Sequence, residues 1–274
     1  MSEPAAAAPD PDVDLGRRAW DGFLLAVGLF TAYRVPVRRA GPDGMSAALA
    51  WAPAVGVVLG WLAAGVVALG RWLAPGAAGG LLTAAVTVAV LAWSTRGFHL
   101  DGLADTADGL GRLGAPEESL AVMRRSDIGP FGVTALVLVL LVEVAALARS
   151  MALGRGVPVV VLAVVVGRLA MVRAGTPGIP GARVDGLGAQ VAGGIPRALA
   201  GFLLAVVTGG CAVPAALGHL ALTVHLEVAL AAGLLAAEVL LRRAIRRFGG
   251  VTGDVFGAVC EVGTAAALLA AAAR

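Results

Sequence analysis

Long apolar segments with few charges recur along the whole of this chain. Seven of them come close to, or exceed, the ~20 residues with which an α-helix crosses the hydrocarbon core of a bilayer. An eighth, the first, is short for a span and is interfacial, re-entrant or spanning. The pattern predicts an all-α, polytopic integral membrane protein with about seven transmembrane helices plus that short N-terminal segment. In chain order the segments are 20–33, 47–73, 77–98, 130–148, 157–173, 197–218, 220–241 and 254–273.

The composition agrees with membrane integration and excludes several classes of function. Of the 274 residues, 59% are hydrophobic and 14% are charged, against about 25% charged in a typical soluble domain. All 21 basic residues are arginine, which excludes mechanisms that need a Schiff-base or P-loop lysine. The net charge of +3 is not a nucleic-acid signal, because arginine in membrane proteins mainly sets topology. Cys211 and Cys260 lie in apolar segments without metal-binding spacing.

The N-terminal residues differ in composition from the rest of the chain. Residues 1–16 are rich in Ala, Pro and Asp and contain no basic n-region, which predicts a disordered tail and no cleavable signal peptide. Residues 17–274 are expected to form a single integral-membrane domain that carries the catalytic groups.

The arginines are unequally distributed between the two sides of the predicted bundle. If the segments alternate in direction, fourteen arginines fall on one side and six on the other. The positive-inside rule then makes the richer side cytoplasmic. The fourteen are Arg34, Arg38, Arg39, Arg96, Arg112, Arg124, Arg125, Arg173, Arg183, Arg197, Arg242, Arg243, Arg246 and Arg247.

Three aspartates, Asp101, Asp105 and Asp108, lie on that side at the end of the third apolar segment. On a helix, their spacing of i, i+4 and i+7 places the carboxylates within an arc of roughly 60°. Such crowded charges repel, and Mg²⁺ is the simplest ion that would offset them, since it binds carboxylates together with substrate phosphates. The alternative is a solvated polar loop with helix-capping aspartates.

Further polar residues are predicted on the same side. Asp254 begins the last apolar segment, where a glycine-rich turn into the helix N-terminus offers N–H groups to a phosphate, or Asp254 simply caps that helix. Glu261 follows two turns later on the same helical face, as an ionisable residue inside an apolar helix. His99 would point away from the aspartates on a regular helix, and would contact substrate only if the neighbouring glycines interrupt that helix. Arginines suit phosphate oxygens because the guanidinium offers paired donors. The remaining candidates for substrate binding are Arg96, Arg124, Arg125, Asp127, Arg183 and Asp185.

Familiar catalytic motifs are missing from the sequence. It contains no Gly-x-Ser-x-Gly elbow, Walker loop or zinc motif. Carboxylates, arginines and glycines on one face suit metal-assisted phosphoryl or phosphodiester transfer, in which the protein mainly positions groups and neutralises charge.

Two blocks of the sequence resemble the most characteristic blocks of the cobalamin synthase family. They are GFHLDGLADTADG at 97–109 and TGDVFGAVCE at 252–261, with weaker similarity in FLLAVGLFTAYRVPV at 23–37 and ARVDGLG at 182–188. The resemblance covers about residues 20–270. The chain departs from the family pattern in MRRSDIG at 123–129, where Asp and Arg have exchanged places around the serine.

The resemblance implies the last step of nucleotide-loop assembly in cobalamin biosynthesis. In that step adenosylcobinamide-GDP and α-ribazole, or its 5′-phosphate, give adenosylcobalamin, or its 5′-phosphate, and GMP. It further implies Mg²⁺ as cofactor, a multi-pass protein of the bacterial inner membrane with its site facing the cytoplasm, and other cobalamin-assembly enzymes as candidate partners. The residues then expected to hold metal and carry catalysis are Asp101, Asp105, Asp108, Asp254 and Glu261.

Two other functions stay open at this point. A CDP-alcohol phosphotransferase that makes a phospholipid also uses aspartates on membrane helices, but with a different spacing from the one found here. A divalent-cation transporter would favour acids near the bilayer midplane, and Glu143 and Glu227 are acids of that kind.

Overall fold

A computed structural model describes residues 11–36, 42–125 and 127–273 of this chain. The regular structure of these residues is helical. Within these ranges there are eleven α-helices and one isolated parallel bridge, between Gly181 and Val251. The helices are α1 (Pro11–Phe30), α2 (Pro42–Leu73), α3 (Ala77–Ser94), α4 (Phe98–Gly111), α5 (Pro116–Val122), α6 (Pro130–Ala152), α7 (Gly156–Ala174), α8 (Gly186–Val191), α9 (Arg197–Ala216), α10 (Leu220–Phe248) and α11 (Gly253–Ala271).

Seven helices of the described chain are long and apolar enough to cross a membrane: α2, α3, α6, α7, α9, α10 and α11. This confirms the all-α, polytopic fold expected from the apolar segments. The bundle is centred on α7, of which 78% is buried, and on α11, of which 67% is buried. Small side chains let neighbouring helices approach closely, as is usual where no hydrophobic effect drives helix association within lipid. Helix α9 is peripheral, with only 6% of its span buried.

Helix α1 differs from the seven spanning helices in length and position. Its apolar part, Ala19–Phe30, is 12 residues, or about 18 Å at 1.5 Å per residue, against a hydrocarbon core of about 30 Å. The helix packs beside the first turns of α2 at Gly22, and the Gly28 carbonyl accepts a hydrogen bond from Arg96. The contact of Gly22 with α2 and the hydrogen bond of Gly28 with Arg96 lie at the same end of the bundle. This favours the interfacial interpretation of α1.

The helix also begins earlier than the sequence suggested. The predicted disordered tail was 1–16, whereas α1 starts at Pro11. Proline suits the first helical position, because its fixed φ matches the helix and its missing N–H would have had no partner there. The rest of that tail, 1–10, lies outside the described residues.

One end of the bundle gathers most of the loops and the short helices α4, α5 and α8. We call it the arginine-rich face: α3, α7 and α10 end there, and α2, α6, α9 and α11 begin there. Hydrogen bonds join its parts. Ile195 N–H donates to the Gly175 carbonyl (3.0 Å), closing the loop between α7 and α9, and Val251 N–H donates to the Pro180 carbonyl (2.9 Å), fastening that loop to the start of α11.

Candidate active site

The site begins at the turn that reverses the chain between α3 and α4. Arg96, with φ 56°, and Gly97, with φ 66°, are both left-handed. The left-handed conformation costs a non-glycine residue roughly 1–2 kcal/mol, and such strain is often found at functional sites. The turn lets α4 start at Phe98, four residues after α3 ends at Ser94.

Helices α4 and α11 cross with their backbones in contact. A Cβ atom on Gly102 would lie 2.6 Å from the carbonyl oxygen of Asp254, and one on Gly257 would lie 2.9 Å from the carbonyl oxygen of His99. Both distances are too short for any side chain. The two glycines therefore set the crossing that brings the aspartates of α4 beside Asp254.

The start of α11 is fixed by its own cap and by the loop that precedes α8. The Thr252 hydroxyl accepts a hydrogen bond from Val255 N–H (3.3 Å) and donates one to Oδ2 of Asp254 (3.1 Å). Beside it, Ala182 N–H donates to the Val251 carbonyl (2.9 Å). This pairing carries the next residue, Arg183, to the aspartates.

Three carboxylates and one guanidinium make up what we call the aspartate site: Asp101, Asp105, Asp254 and Arg183. Burial, followed by the charges of Asp254, Asp101 and then Asp108, raises the pKa of Asp105 to about 7, while Arg183 opposes the shift. Burial and the charge of Arg124 lower the pKa of Arg183, and Asp254, Asp185 and Asp105 act in the opposite direction. The raised pKa of Asp105 therefore reflects burial first and the neighbouring carboxylates second, and Arg183 offsets only part of the shift.

Asp108 has a different role from the other two aspartates of α4. It is buried, and its two oxygens accept hydrogen bonds from the backbone N–H groups of Gly129 (2.7 Å) and Gly132 (2.9 Å). These groups belong to the start of α6, where free N–H donors and the helix dipole favour a negative charge. Asp108 therefore fastens α4 to α6, and its place among the metal ligands stays a prediction.

Two cavities open beside the aspartate site, one on each side of Phe98. The larger, about 550 Å³, is lined by Arg96, Asp101, Ala104 and Ile128 among others. The smaller, about 220 Å³, is lined by Arg183, Asp185, Thr252 and Asp254 among others. Phe98 was not singled out from the sequence, although it lies within the 97–109 block, because an aromatic residue in an apolar chain is usually core.

A second polar group lies inside the bundle, away from the aspartates. We call it the interior cluster: His99 of α4, Glu143 of α6, Arg168 of α7 and Glu261 of α11. His99 Nδ1 is 4.0 Å from Glu261 Oε1. Glu143, Arg168 and Glu261 line a cavity of about 30 Å³, which is large enough for a water molecule. The ligand atoms of His99, Cys260 and Glu261 lie within 4.8 Å of one another. The positive charge of the nearby Arg168 guanidinium, which lines the same cavity as Glu261, disfavours a metal ion there.

The interior cluster contains two of the predicted site residues and separates them from the aspartates. Glu261 was expected to complete the aspartate metal site, but the seven residues that separate it from Asp254 extend about 10 Å along the helix axis and carry it to Arg168. His99 was grouped with the substrate-binding residues, yet it is fully buried. Helix α4 is regular from Phe98 onward, so His99 faces inward, as it would on an uninterrupted helix. Burial, and then the charge of Arg168, lower the pKa of His99 well below its usual range.

The other predicted substrate-binding residues occupy the rim of the arginine-rich face. Arg124 Nη2 lies 3.4 Å from Asp185 Oδ1, and both side chains are exposed. Arg183 Nη2 donates to the Leu120 carbonyl (2.8 Å), while its buried Nε has no hydrogen-bond partner among the described residues. Arg125 and Asp127 are exposed in the loop between α5 and α6.

Among the described residues, the potential metal ligands whose atoms lie within 4.8 Å of one another are His99, Cys260 and Glu261. The aspartate site suits a hard divalent cation by ligand type. Its three carboxylates offer only oxygen ligands, the type that Mg²⁺ prefers, and leave room for substrate phosphates in the adjoining cavities. The charges of neighbouring carboxylates add to burial in raising the pKa of Asp105, and a cation placed among them would relieve that repulsion.

Comparison with known proteins identifies the family of this chain. Residues 22–272 match the model of the family described as cobalamin-5-phosphate synthase. An adenosylcobinamide-GDP ribazoletransferase of Nocardioides sp. is 42% identical over 260 residues, covering 93% of this chain and 99% of the relative. Relatives with the same name from Frankia casuarinae and Ectopseudomonas mendocina are 43% and 39% identical, covering 81% and 87% of this chain and 83% and 94% of theirs. No solved structure matches the chain. The chain therefore belongs to the cobalamin-5-phosphate synthase family.

Proposed function

We propose that this protein is a transferase that joins adenosylcobinamide-GDP to α-ribazole, or to α-ribazole 5′-phosphate, and releases GMP. The relatives named for that activity are similar to this chain over 93% and 87% of its length. The observation that carries the proposal is the meeting of Asp101, Asp105, Asp254 and Arg183 beside two cavities. Neither a phospholipid-making phosphotransferase nor a cation transporter has comparable support.

The reaction exchanges one phosphorus–oxygen bond for another. The hydroxyl oxygen of the ribazole bonds to the phosphorus on the corrinoid side of the pyrophosphate, and the bond from that phosphorus to the bridging oxygen breaks. The bridging oxygen leaves with the electron pair as part of GMP. The hydroxyl proton passes to a carboxylate of the aspartate site, which the hydroxyl reaches from the adjoining cavity.

Asp101, Asp105 and Asp254 are proposed as the residues that hold Mg²⁺. When bound, the ion neutralises charge on the pyrophosphate oxygens and on the departing phosphate. Asp108 is assigned to fastening α4, because both of its oxygens already accept backbone N–H groups. Glu261 is assigned to the interior cluster.

Arginines around the site are proposed to bind the substrate phosphates. Arg183 is the best placed, since it shares the smaller cavity with Asp254 and keeps a buried donor, Nε, without a partner among the described residues. Arg96 lines the larger cavity together with Asp101. Arg124 is held at the rim by Asp185 and is available to phosphate at little energetic cost, because an exposed ion pair contributes little.

We also propose that the protein lies in the bacterial inner membrane with the aspartate site facing the cytoplasm. The chain is a multi-pass membrane protein by its seven apolar helices. The excess of arginine at the face that carries the site supports the cytoplasmic orientation, and both proposed substrates are water-soluble nucleotide derivatives. Other enzymes of cobalamin assembly are candidate partners at this face.

The direct test is turnover by the purified protein in detergent, with adenosylcobinamide-GDP, α-ribazole and Mg²⁺. We expect corrinoid product and GMP in equal amounts, and neither product after EDTA treatment. Asp101→Asn should abolish both, whereas Glu117→Gln, an exposed acid of α5 at the same face, should leave turnover unchanged. Folded protein that gives no product, under conditions in which a relative is active, would overturn the proposed reaction.

A further inference from the structure

An apolar groove of about 620 Å³ lies on the side of the bundle, between the ends of α7 and α10 and the start of α9. Its walls include Leu169, Leu204, Leu234 and Leu241. The groove exists because α9 packs so loosely, with only 6% of its span buried. In a bilayer an open apolar groove of this size is filled by acyl chains, whose contacts replace the packing that α9 does not supply.

The mouth of the groove, at the arginine-rich face, is positively charged. Arg173 and Arg197 both line the mouth. Their side chains bind adjacent residues of the loop after α7: Arg173 Nη1 donates to the Thr176 hydroxyl (2.9 Å), and Arg197 Nη2 donates to the Pro177 carbonyl (2.9 Å). The acid at the mouth is Glu238, whose Oε1 accepts from Arg173 Nη2 (3.1 Å) and from Arg242 Nε (2.8 Å). Three arginines against one glutamate leave a net charge of +2 on these four residues.

We propose that this groove binds one anionic phospholipid, with an acyl chain between α7, α9 and α10 and the phosphate at Arg173 and Arg197. The charge at the mouth selects the head group, because arginine forms paired, charge-assisted hydrogen bonds with phosphate. Basic pockets between transmembrane helices are known to bind lipid head groups in this way. The inference does not depend on the proposed reaction, because it uses none of the residues of the aspartate site.

The location of the lipid has a structural consequence. Residues 175–196 leave α7 beside Arg173 and enter α9 at Arg197, so the two arginines stand at the two ends of one loop. That loop carries Arg183 to the aspartate site. A phosphate held between the arginines would fasten both ends of the loop, beyond the hydrogen bond between Ile195 and Gly175.

The test is the rise in melting temperature of the detergent-purified protein on addition of defined lipids. We expect phosphatidylglycerol to raise it more than phosphatidylcholine of the same acyl chains. Sodium phosphate alone should have no such effect. Native mass spectrometry should show one phosphatidylglycerol retained on each chain. Arg197→Gln should weaken that binding about fivefold, whereas Arg243→Gln, an exposed arginine at the same end of α10 that does not line the groove, should not.

A second pair of variants tests the acyl-chain part without altering charge. A Cβ atom on Gly201 would meet nothing within 4 Å among the described residues, and Gly201 lines the groove, so Gly201→Leu should extend its side chain into the groove. Gly209→Leu is the matched control, equally open on the same helix but outside the groove. We expect retained lipid to be lost in Gly201→Leu alone.

Three outcomes would overturn the proposal. Equal stabilisation by the two lipids would show that the arginines do not select the head group. Stabilisation by sodium phosphate alone would identify a free phosphate site. A dimer that dissociates in Gly201→Leu, without retained lipid, would show that a second copy of the chain covers the groove.

Discussion

The backbone N–H of Gly129 donates a 2.7 Å hydrogen bond to Oδ2 of Asp108, joining α4 to the first turn of α6. Asparagine at position 108 keeps one acceptor oxygen but turns an amide N–H₂ toward a backbone donor, because Gly132 N–H occupies the other oxygen. We expect Asp108→Asn to lower the free energy of unfolding by about 1–3 kcal/mol. Denaturant unfolding in detergent without Mg²⁺ measures this, with Glu117→Gln as control. Unchanged stability with lost Mg²⁺ affinity would instead make Asp108 a metal ligand.

Asp105→Asn should behave in the opposite way. Because its neighbours Asp254 and Asp101 repel the charge of Asp105, removal of that charge should leave the metal-free protein at least as stable as the wild type. The same change should abolish turnover, since a proposed metal ligand is lost. Unfolding in EDTA and the turnover assay, done on one preparation, separate the two effects. Substantial residual turnover would remove Asp105 from the metal site.

The contrast between these two residues shows what the sequence could and could not predict. The spacing of Asp101, Asp105 and Asp108 correctly placed all three on one helix, since it depends only on helix geometry. The spacing could not show that N–H groups at the start of α6, twenty-one residues beyond Asp108, would donate to Asp108 and not to the other two aspartates. That arrangement arises from tertiary packing and has no local signal.

Glu261 of the interior cluster illustrates the same limit. Helix periodicity placed Asp254 and Glu261 on one face of α11, which is correct. Glu261, however, lies about 10 Å farther along the helix axis than Asp254, beside the cavity that Arg168 also lines. No pattern within α11 identifies an arginine on α7 as its neighbour. The seven spans, by contrast, follow from hydropathy alone, because bilayer thickness dictates the length of each helix.

Binding of Mg²⁺ should depend on pH near neutrality. The pKa of Asp105 is raised to about 7 in the metal-free protein, so below that pH a proton must leave before the metal binds. We expect the apparent affinity to fall about tenfold for each unit below pH 7 and to level off above it. Calorimetric titrations at several pH values measure this, and Glu117→Gln, which changes an exposed acid of α5, should keep the wild-type profile. An affinity in the wild type that is constant across this range would contradict the prediction.

Gly102→Ala tests the backbone contact between α4 and α11. The added methyl would lie 2.6 Å from the carbonyl oxygen of Asp254, so the helices must move apart. We expect a loss of about 1–3 kcal/mol in the free energy of unfolding and a fall in turnover of about 100-fold, because misplacement by about 1 Å disrupts a catalytic arrangement.

The matched control for this change is Gly209→Ala, since a Cβ atom there meets nothing within 4 Å among the described residues. It should keep full turnover and equal or slightly greater stability, because alanine favours the helix. If both variants retain turnover, the Gly102–Asp254 approach does not set the site.

Glu261→Gln and Asp254→Asn separate the interior cluster from the aspartate site. Asp254→Asn should abolish Mg²⁺ binding, because it removes a proposed ligand. Glu261→Gln should leave Mg²⁺ affinity unchanged and lower the free energy of unfolding by about 1–3 kcal/mol, since it deprives the buried Arg168 of a nearby negative charge. Calorimetry and unfolding, applied to both variants, give the comparison. Equal losses of Mg²⁺ affinity in the two variants would return Glu261 to the metal site.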